Sequence, residues 1–246
     1  MLTPLLIILL LLHILADFYF QTQNMSDSKK ENYKYVIYHS IFYFLTMFLI
    51  FIFYKFDIAL LLAISALGLS HFIIDISKYY FSNKKDIKES SLFLVDQFIH
   101  LSIIIGFFLI VKNTNFIFVS ERWIMNNSLV YLNVLVALLL IFKPANILIK
   151  SLISSPTYKN VEESGEKRPL RLGKIIGNLE RLLIVLLLCA NQFVVIGYIF
   201  TAKSIARWKK LTEDKDFAEY YLVGTLLSVI ISIIVYYIFL KDIKII

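Results

Sequence analysis

Residues 5–21 spell LLIILLLLHILADFYFQ, an apolar run of near membrane-spanning length that carries two ionisable side chains, His13 and Asp17. These two residues are four positions apart, which is just over one turn of an α-helix, so they share one helix face. An ionisable group inside a bilayer costs several kcal/mol unless it is paired, hydrated or bound to a cation. The stretch therefore predicts a membrane helix with a functional polar face.

The same spacing recurs twice further along the chain. His71 and Asp75 lie in SHFIIDIS, and Asp96 and His100 lie in VDQFIHLS. The remaining histidine, His39, opens the apolar run YHSIFYFLTMFLIFIFY. Every histidine of the chain thus falls in an apolar segment, and three of them have an aspartate one turn away.

The composition predicts an all-α polytopic membrane protein, a transmembrane bundle of about seven helices. The chain has 246 residues, of which 59% are hydrophobic and 17% charged, an apolar share above that of soluble domains. We expect the N-terminal run to be a retained helix, because it lacks a basic start and a cleavage site. Hydrophobic runs place the spans at about 2–21, 35–55, 58–80, 92–112, 128–153, 174–201 and 218–240.

We expect one continuous bundle with two parts, a four-helix membrane domain at 1–112 that carries the His/Asp residues and C-terminal membrane helices at 113–246. The fifth span should break near Pro144, because proline interrupts the helical hydrogen bonds. Residues 155–173 are predicted to be a polar loop. Residues 202–217, AKSIARWKKLTEDKDF, are predicted to be a basic amphipathic connector at the membrane interface.

Lysine and arginine are concentrated in the loops after the first, third and fifth spans, and basic loops face the cytoplasm. This places the N-terminus outside the cytoplasm. The connector between the sixth and seventh spans is also basic, although simple alternation places it outside. Either one of the last three helices does not fully cross, or the rule fails for this connector.

Alternating helix directions bring the polar residues of the first four spans to one end of the bundle, on the cytoplasmic side. Imidazole and carboxylate ligands suit zinc, manganese or iron, and helical bundles build metal sites from facing helices. We therefore predict a divalent metal site that holds one or two ions. Its predicted ligands are His13, Asp17, His71, Asp75, Asp96 and His100.

Further residues are candidates for roles around this site. Asp17 and Asp96 are also candidate catalytic groups, together with Glu180 near the start of the sixth span. The candidates for substrate binding are Gln21, His39, Lys78, Gln97 and Arg181. The His/Asp pairs are also compatible with structural hydrogen bonds between helices and with a relay for protons or ions.

Several function classes have no support in the sequence. The net charge of +7 is scattered over loops and predicts no nucleic-acid partner. The chain contains no Walker loop, no GxSxG elbow and no HExxH motif. The single cysteine, Cys189, cannot form an internal disulfide.

The stretches HILADFYFQ, HFIIDISK and DQFIH resemble the bacterial membrane proteins of the domain-of-unknown-function 3307 family, over roughly residues 5–110. GKIIGNLERLLI, FTAKSIARWKKL and FAEYYLVGTLLS resemble the C-terminal part of its longer members. The resemblance implies a multi-pass protein of the bacterial inner membrane and brings no activity with it. The His and acid pattern is also similar to that of membrane-bound metal-dependent hydrolases.

The predicted function is a membrane-embedded, metal-dependent hydrolase that acts on a lipid or another amphipathic, phosphate-bearing substrate near the cytoplasmic leaflet. A dinuclear centre can generate hydroxide and clamp a phosphoryl group. The expected partners are the lipid bilayer and this lipid-like substrate, and the composition allows an oligomer. The alternatives are a transporter or channel for protons or metal cations, and a membrane scaffold or effector subunit without enzyme activity.

Overall fold

A computed structural model describes residues 3–82, 89–114, 116, 117, 119, 128–153 and 169–243. The described residues form an all-α fold, as predicted. The chain divides into two compact units, one of residues 2–136 and one of residues 137–246. This boundary lies later than the predicted division at residue 112.

The first unit consists of long apolar helices with short connections. Its helices are α1 (Pro4–Ile14, continued as a π-helix over Leu15–Phe20), α2 (Gln23–Glu31), α3 (Tyr33–Met47, continued as a 3-10 helix over Phe48–Ile52), α4 (Ile58–Ser82), α5 (Glu89–Val111) and the start of α6 (Ser128–Ile141). Pro4 stands in the first turn of α1, where its missing N–H leaves no helical bond unmade. The first four predicted spans are confirmed within a few residues.

Helix α2 lies outside the predicted spans, since its sequence QNMSDSKKE is polar. Thr22 caps it by accepting a hydrogen bond from the backbone N–H of Met25 at 3.2 Å. The chain bends by 88° between the span Pro4–Phe20 and the segment Gln23–Lys29. A polar helix at this angle to an apolar span is suited to the membrane surface.

Helices α3 and α4 approach each other closely at Gly68, which is buried. A Cβ atom at this position would overlap the ring of Phe44. We therefore expect Gly68→Ala to destabilise the protein by about 1–3 kcal/mol, as overpacked cores do. Thermal unfolding in detergent measures the change.

Gly106→Ala is the matched control, because nothing lies within 4 Å of a Cβ atom at that position of α5. Alanine favours the helix over glycine, so this variant should be as stable as the wild type or slightly more stable. Equal melting temperatures for Gly68→Ala and the wild type would show that the two helices separate without penalty.

The second unit contains the end of α6 and the remaining helices. These are α7 (Lys143–Ile153), α8 (Pro169–Cys189), α9 (Phe193–Ala206), α10 (Trp208–Glu213) and α11 (Lys215–Val235, continued as a π-helix over Tyr236–Leu240). The predicted break in the fifth span is confirmed at Phe142, next to Pro144. Of the predicted polar loop, residues 155–168 lie outside the described residues, and residues 169–173 belong to α8.

The prediction of one continuous sixth helix over 174–201 is wrong. Helix α8 ends at Cys189, and Asn191 adopts a left-handed conformation with φ 56°. Gln192 N–H donates to the Leu187 carbonyl at 2.8 Å, and Asn191 N–H donates to the Leu188 carbonyl at 3.1 Å. These two bonds form a Schellman motif, which ends a helix and turns the chain.

The prediction of a single amphipathic helix over 202–217 is also wrong. Residues 202–206 complete α9, and α10 is a separate short helix. Asp214 then caps α11 by accepting a hydrogen bond from the Phe217 N–H at 2.9 Å. Three helices therefore share the sequence that was predicted to form one.

Five helical segments are long and apolar enough to cross a membrane: Tyr33–Ile52, Ile58–Ser82, Ser90–Val111, Ser128–Ile153 and Lys215–Leu240. The bent pair of Pro4–Phe20 with Gln23–Lys29 passes the same criterion when the two helices are taken together. The chain is therefore a multi-pass membrane protein.

Candidate metal centre

The first unit brings polar side chains from α1 and its π-helical continuation, α3, α4 and α5 into one place. We call this group the His/Asp cluster; it consists of His13, Asp17, His39, His71, Asp75, Asp96 and His100. The side chains are between 1% and 8% exposed. The helix directions predicted this convergence, while the role of each residue stays a prediction.

Asp17 is the acidic group with the most imidazole neighbours. Its Oδ1 atom lies 3.0 Å from His71 Nε2 and 3.3 Å from His39 Nε2. Its Oδ2 atom lies 3.9 Å from His13 Nε2. Asp17 belongs to the π-helical segment Leu15–Phe20, a helix type that is rare and often found at functional sites.

Asp75 lies between two histidines and a lysine. Its Oδ2 atom is 3.6 Å from His39 Nε2, 3.9 Å from His71 Nδ1 and 2.7 Å from Lys29 Nζ. Sequence reasoning missed Lys29, because the residue lies in a polar stretch between two spans. Only the folding of α2 against α3 and α4 brings it to the cluster.

Asp96 has a second lysine as its partner. Lys78 Nζ donates to Asp96 Oδ2 at 2.7 Å, and the neighbouring Gln97 side chain donates to the same oxygen at 3.2 Å. His100 Nδ1 lies 2.9 Å from the backbone carbonyl of Asp96 and donates to it. A neutral His100 therefore carries its lone pair on Nε2, which is free to bind a cation.

Tyr43 is a further residue of the site that sequence reasoning missed. Its hydroxyl lies 3.3 Å from His13 Nδ1, and its ring stacks on the His71 ring with centroids 3.5 Å apart. It follows His39 by four residues in α3, so the spacing that identified the His/Asp pairs would also have found it. Tyr43 holds two imidazoles in position.

Several donor atoms of the cluster have no hydrogen-bond partner among the described residues. These buried atoms are His13 Nε2, His71 Nδ1, Asp96 Oδ1 and His100 Nε2. Buried polar atoms are nearly always satisfied, so unpartnered ones need a physical cause. A cation that accepts their lone pairs provides one.

The donor atoms also have the spacing that a metal requires. Three sets of ligand atoms lie within 4.8 Å of one another: His13, Asp17 and His71; His39, His71 and Asp75; and Asp75, Asp96 and His100. Tetrahedral zinc with bonds of about 2.0–2.1 Å separates its ligand atoms by roughly 3.3 Å. The distances of 3.0 and 3.3 Å from Asp17 Oδ1 to two imidazoles match this value.

The formal charges of the cluster leave room for a cation. Its three carboxylates are matched by only two ammonium groups, those of Lys29 and Lys78. With neutral imidazoles, one negative charge is left uncompensated. The donor types and their proximity therefore fit a divalent metal, and the remaining negative charge favours a cation.

Of the remaining predicted site residues, Gln21 directly follows the π-helical segment and is half-buried. Glu180 and Arg181 belong to the second unit. Glu180 forms an ion pair of 2.7 Å with Lys203. The catalytic role of Glu180 stays a prediction.

Arg181 is buried and fully engaged within its own unit. Its guanidinium donates to the Ile141 carbonyl and to three side chains, those of Asn146 at 2.6 Å, Asn178 at 2.8 Å and Ser228 at 3.2 Å. The break before Pro144 frees carbonyls at the end of α6, and Arg181 binds one of them. These contacts give it a structural role, and the predicted role in substrate binding stays a prediction.

The fold and the His/Asp cluster define a multi-pass membrane protein with a buried polar centre suited to a metal. Residues 5–126 match the family described as "Protein of unknown function (DUF3307)". This part of the chain, which contains the whole cluster, belongs to that family. No curated protein and no solved structure matches the chain.

Proposed function

We propose that this protein is a membrane-embedded, metal-dependent hydrolase that acts on a lipid or another amphipathic, phosphate-bearing substrate. The observation that carries the proposal is the convergence of four imidazoles and three carboxylates in one buried cluster with unpartnered donor atoms. A divalent metal bound there supplies Lewis acidity and a water of lowered pKa. Zinc, manganese and iron suit this ligand set.

The ligands would come from all four polar helices. His71 and Asp75 are central, since each belongs to two of the three overlapping donor sets. Asp96 keeps one unpartnered oxygen that can accept a proton. Tyr43 contacts His13, and Gln97 donates to Asp96. Such contacts from residues outside the ligand set commonly orient the ligands of metal sites.

The two lysines lie between the buried centre and the outside. The Lys78 side chain is 33% exposed, whereas its partner Asp96 is 4% exposed. Lys29 is likewise more exposed than its partner Asp75. A substrate that reaches the cluster along these side chains meets ammonium groups first, which favours a phosphate-bearing molecule.

The position of the cluster along its helices favours a lipid substrate. Exposed tyrosines at the start of α3, among them Tyr35 and Tyr38, mark the interface level where aromatic side chains gather. His39 lies one turn beyond Tyr35, and Asp75 lies just over one turn before the exposed Tyr80. The centre is thus within about 8 Å of this level along the helices, near the depth of lipid ester and phosphate groups.

The buried interior of the first unit disfavours the alternative of a transporter or channel. Among its described residues, the buried side chains with polar atoms outside the cluster are those of Tyr43, which contacts the cluster, and of Thr46, Tyr54 and Asn133. Thr46 donates to the carbonyl of Phe42, and Asn133 donates to that of Leu129, each within its own helix. A route for ions would need a further series of polar groups beyond the cluster.

The proposed location is the cytoplasmic membrane of a bacterium, with the cluster near the cytoplasmic leaflet. The basic loops and the family resemblance support this placement. The bilayer itself would deliver the substrate to the site.

Lipid turnover by purified protein tests the proposal. The protein is incubated in detergent with zinc, manganese or iron and with phosphatidic acid, phosphatidylglycerol or phosphatidylcholine, and products are followed by mass spectrometry. We expect metal-dependent hydrolysis that EDTA abolishes and that Asp17→Asn lowers at least about 100-fold, because that change removes a charged ligand. Thr46→Ala is the matched control and should stay within about twofold of the wild type.

Two results would contradict the hydrolase. One is the absence of hydrolysis with every metal and lipid. The other is cation flux in liposomes that depends on Asp17, which would favour the transporter.

A further inference from the structure

Helices α8 and α9 form a helical hairpin in the second unit. The Schellman motif at residues 190–192 reverses the chain between them. Lys203 in α9 forms its 2.7 Å ion pair with Glu180 in α8, so the two helices run antiparallel. Each arm extends about 14–15 Å from this ion pair to the turn, at a rise of 1.5 Å per residue.

Contacts with helix α11 show how the hairpin is oriented within the second unit. Arg181 of α8 contacts Ser228, and Lys203 of α9 contacts Thr225, so both arms meet the middle of α11. Helix α8 also contacts the π-helical end of α11 at Tyr236–Leu240, and its last residue, Cys189, interacts with Tyr236. Helices α8 and α11 are therefore parallel, and both begin at the same end of the unit.

This geometry removes the conflict in the distribution of basic residues. Helix α9 returns the chain to the end where α8 begins, and α10 joins it to the start of α11 there. The segment 207–214 thus lies at the end of the unit where α8 and α11 begin. A hairpin that does not cross the membrane is compatible with the first of the two alternatives, in which one of the last three helices does not fully cross.

The end of α9 and the start of α10 meet at a corner, residues 205–210. The composition of this corner suits contact with a membrane surface. Ile205 and Trp208 are exposed by 67% and 68%. Lys209 and Lys210 are exposed beside them. Tryptophan favours the headgroup level, and basic residues near the surface attract anionic lipids.

Of the three acidic residues near the corner, Asp214 and Asp216 serve the start of the next helix, while Glu213 is exposed in α10 itself, so that Arg207, Lys209 and Lys210 outnumber Glu213 and Asp214. Asp214 caps α11, and Asp216 lies in the first turn of that helix, where a negative charge is favourable. Arg207 lies over the rings of Phe217 and Tyr221 at 6.0 and 5.6 Å, and Lys210 Nζ lies 4.2 Å from the centroid of the Phe217 ring, while the Lys209 side chain is exposed. The exposed charge of the corner next to Trp208 is therefore positive.

We propose that the corner around Trp208, Lys209 and Lys210 binds the headgroups of anionic phospholipids in the leaflet that faces the loop before α8. The apolar side chains insert at the headgroup level, and the two ammonium groups pair with lipid phosphates. This contact holds the open end of the hairpin at the membrane surface. The proposal is independent of the hydrolase function.

Cysteine labelling tests the placement of the corner. The only cysteine is removed by Cys189→Ser, and single cysteines are then introduced at Lys209, at Lys174 near the start of α8, and at Lys241 after the end of α11. A membrane-impermeant maleimide should label positions 209 and 174 from one side and position 241 from the other. Labelling of positions 209 and 241 from the same side would overturn the placement.

Tryptophan fluorescence tests the lipid partner. The chain has two tryptophans, so the full chain with Trp123→Phe reports on Trp208 alone. In nanodiscs of mixed composition, brominated phosphatidylglycerol should quench Trp208 at least about twofold more than an equal fraction of brominated phosphatidylcholine. High salt should remove the difference, because the attraction is screened.

A pair of matched variants shows whether the two lysines cause the preference. Lys209→Gln with Lys210→Gln should abolish it, and Lys112→Gln with Lys241→Gln, which removes the same charge elsewhere, should leave it intact. Equal quenching by both lipids in the wild-type corner would overturn the lipid proposal and assign the surface to a protein partner.

Discussion

Purified protein is expected to carry about one equivalent or more of zinc, manganese or iron, and the double variant His71→Ala, Asp96→Ala less than about a tenth of that amount. His71 belongs to two of the three donor sets, and Asp96 belongs to the third. The double change therefore leaves no set complete, and loss of a ligand weakens metal binding strongly. Elemental analysis by mass spectrometry measures the content.

A control variant separates loss of metal from loss of fold. Thr46→Ala with Asn133→Ala removes two buried polar side chains of the same unit outside the cluster. It should keep the wild-type metal content. Wild-type protein without stoichiometric metal, prepared without chelators, would contradict the metal centre and favour structural hydrogen bonds between the helices.

The second large effect is expected at Arg181, which joins α6, α7, α8 and α11 within the second unit. Arg181→Met should destabilise this unit by about 3 kcal/mol, because the Ile141 carbonyl, the Ser228 hydroxyl and the Asn146 side-chain oxygen lose the Arg181 hydrogen bonds. Asn178 Oδ1 keeps the hydrogen bond that Asn146 Nδ2 donates at 2.7 Å. Unfolding by heat or by a denaturing detergent measures the loss.

Two further variants define the cause. Arg181→Lys should recover only part of the stability, because an ammonium group cannot reproduce the planar fork of the guanidinium. Lys174→Met, at an exposed position of the same helix, should change stability by less than about 0.5 kcal/mol. Wild-type stability of Arg181→Met would show that Arg181 is free for another role, including the predicted binding of substrate.

The helix positions followed from the sequence wherever the signal was hydrophobicity over a long window. The third span was predicted at 58–80 and is Ile58–Ser82, and the break near Pro144 was also predicted. Helix α2 was missed because a short polar helix carries no such signal. The turn after Cys189 was missed because LLLCANQFVVIGYIF is apolar on both sides of Asn191.

For the polar site, too, one part of the arrangement followed from the sequence and another part did not. The spacing of His71 from Asp75 and the alternating helix directions predicted that the pairs meet at one end of the bundle. Spacing could not show that Lys29 pairs with Asp75, because 46 residues separate them. Spacing also could not assign a structural role to Arg181, because its acceptors come largely from three neighbouring helices.

The sequence by itself determined that this protein crosses a membrane and that its ionisable residues gather in the first four spans. Both properties follow from local chemistry, since each apolar segment partitions into lipid and each polar pair lies on one face of one helix. The tertiary structure alone decided which lysine neutralises which carboxylate, where α8 turns back and that the basic corner lies at the end of the unit where α8 begins. These features depend on contacts between segments that are distant in the chain, and no local pattern specifies them.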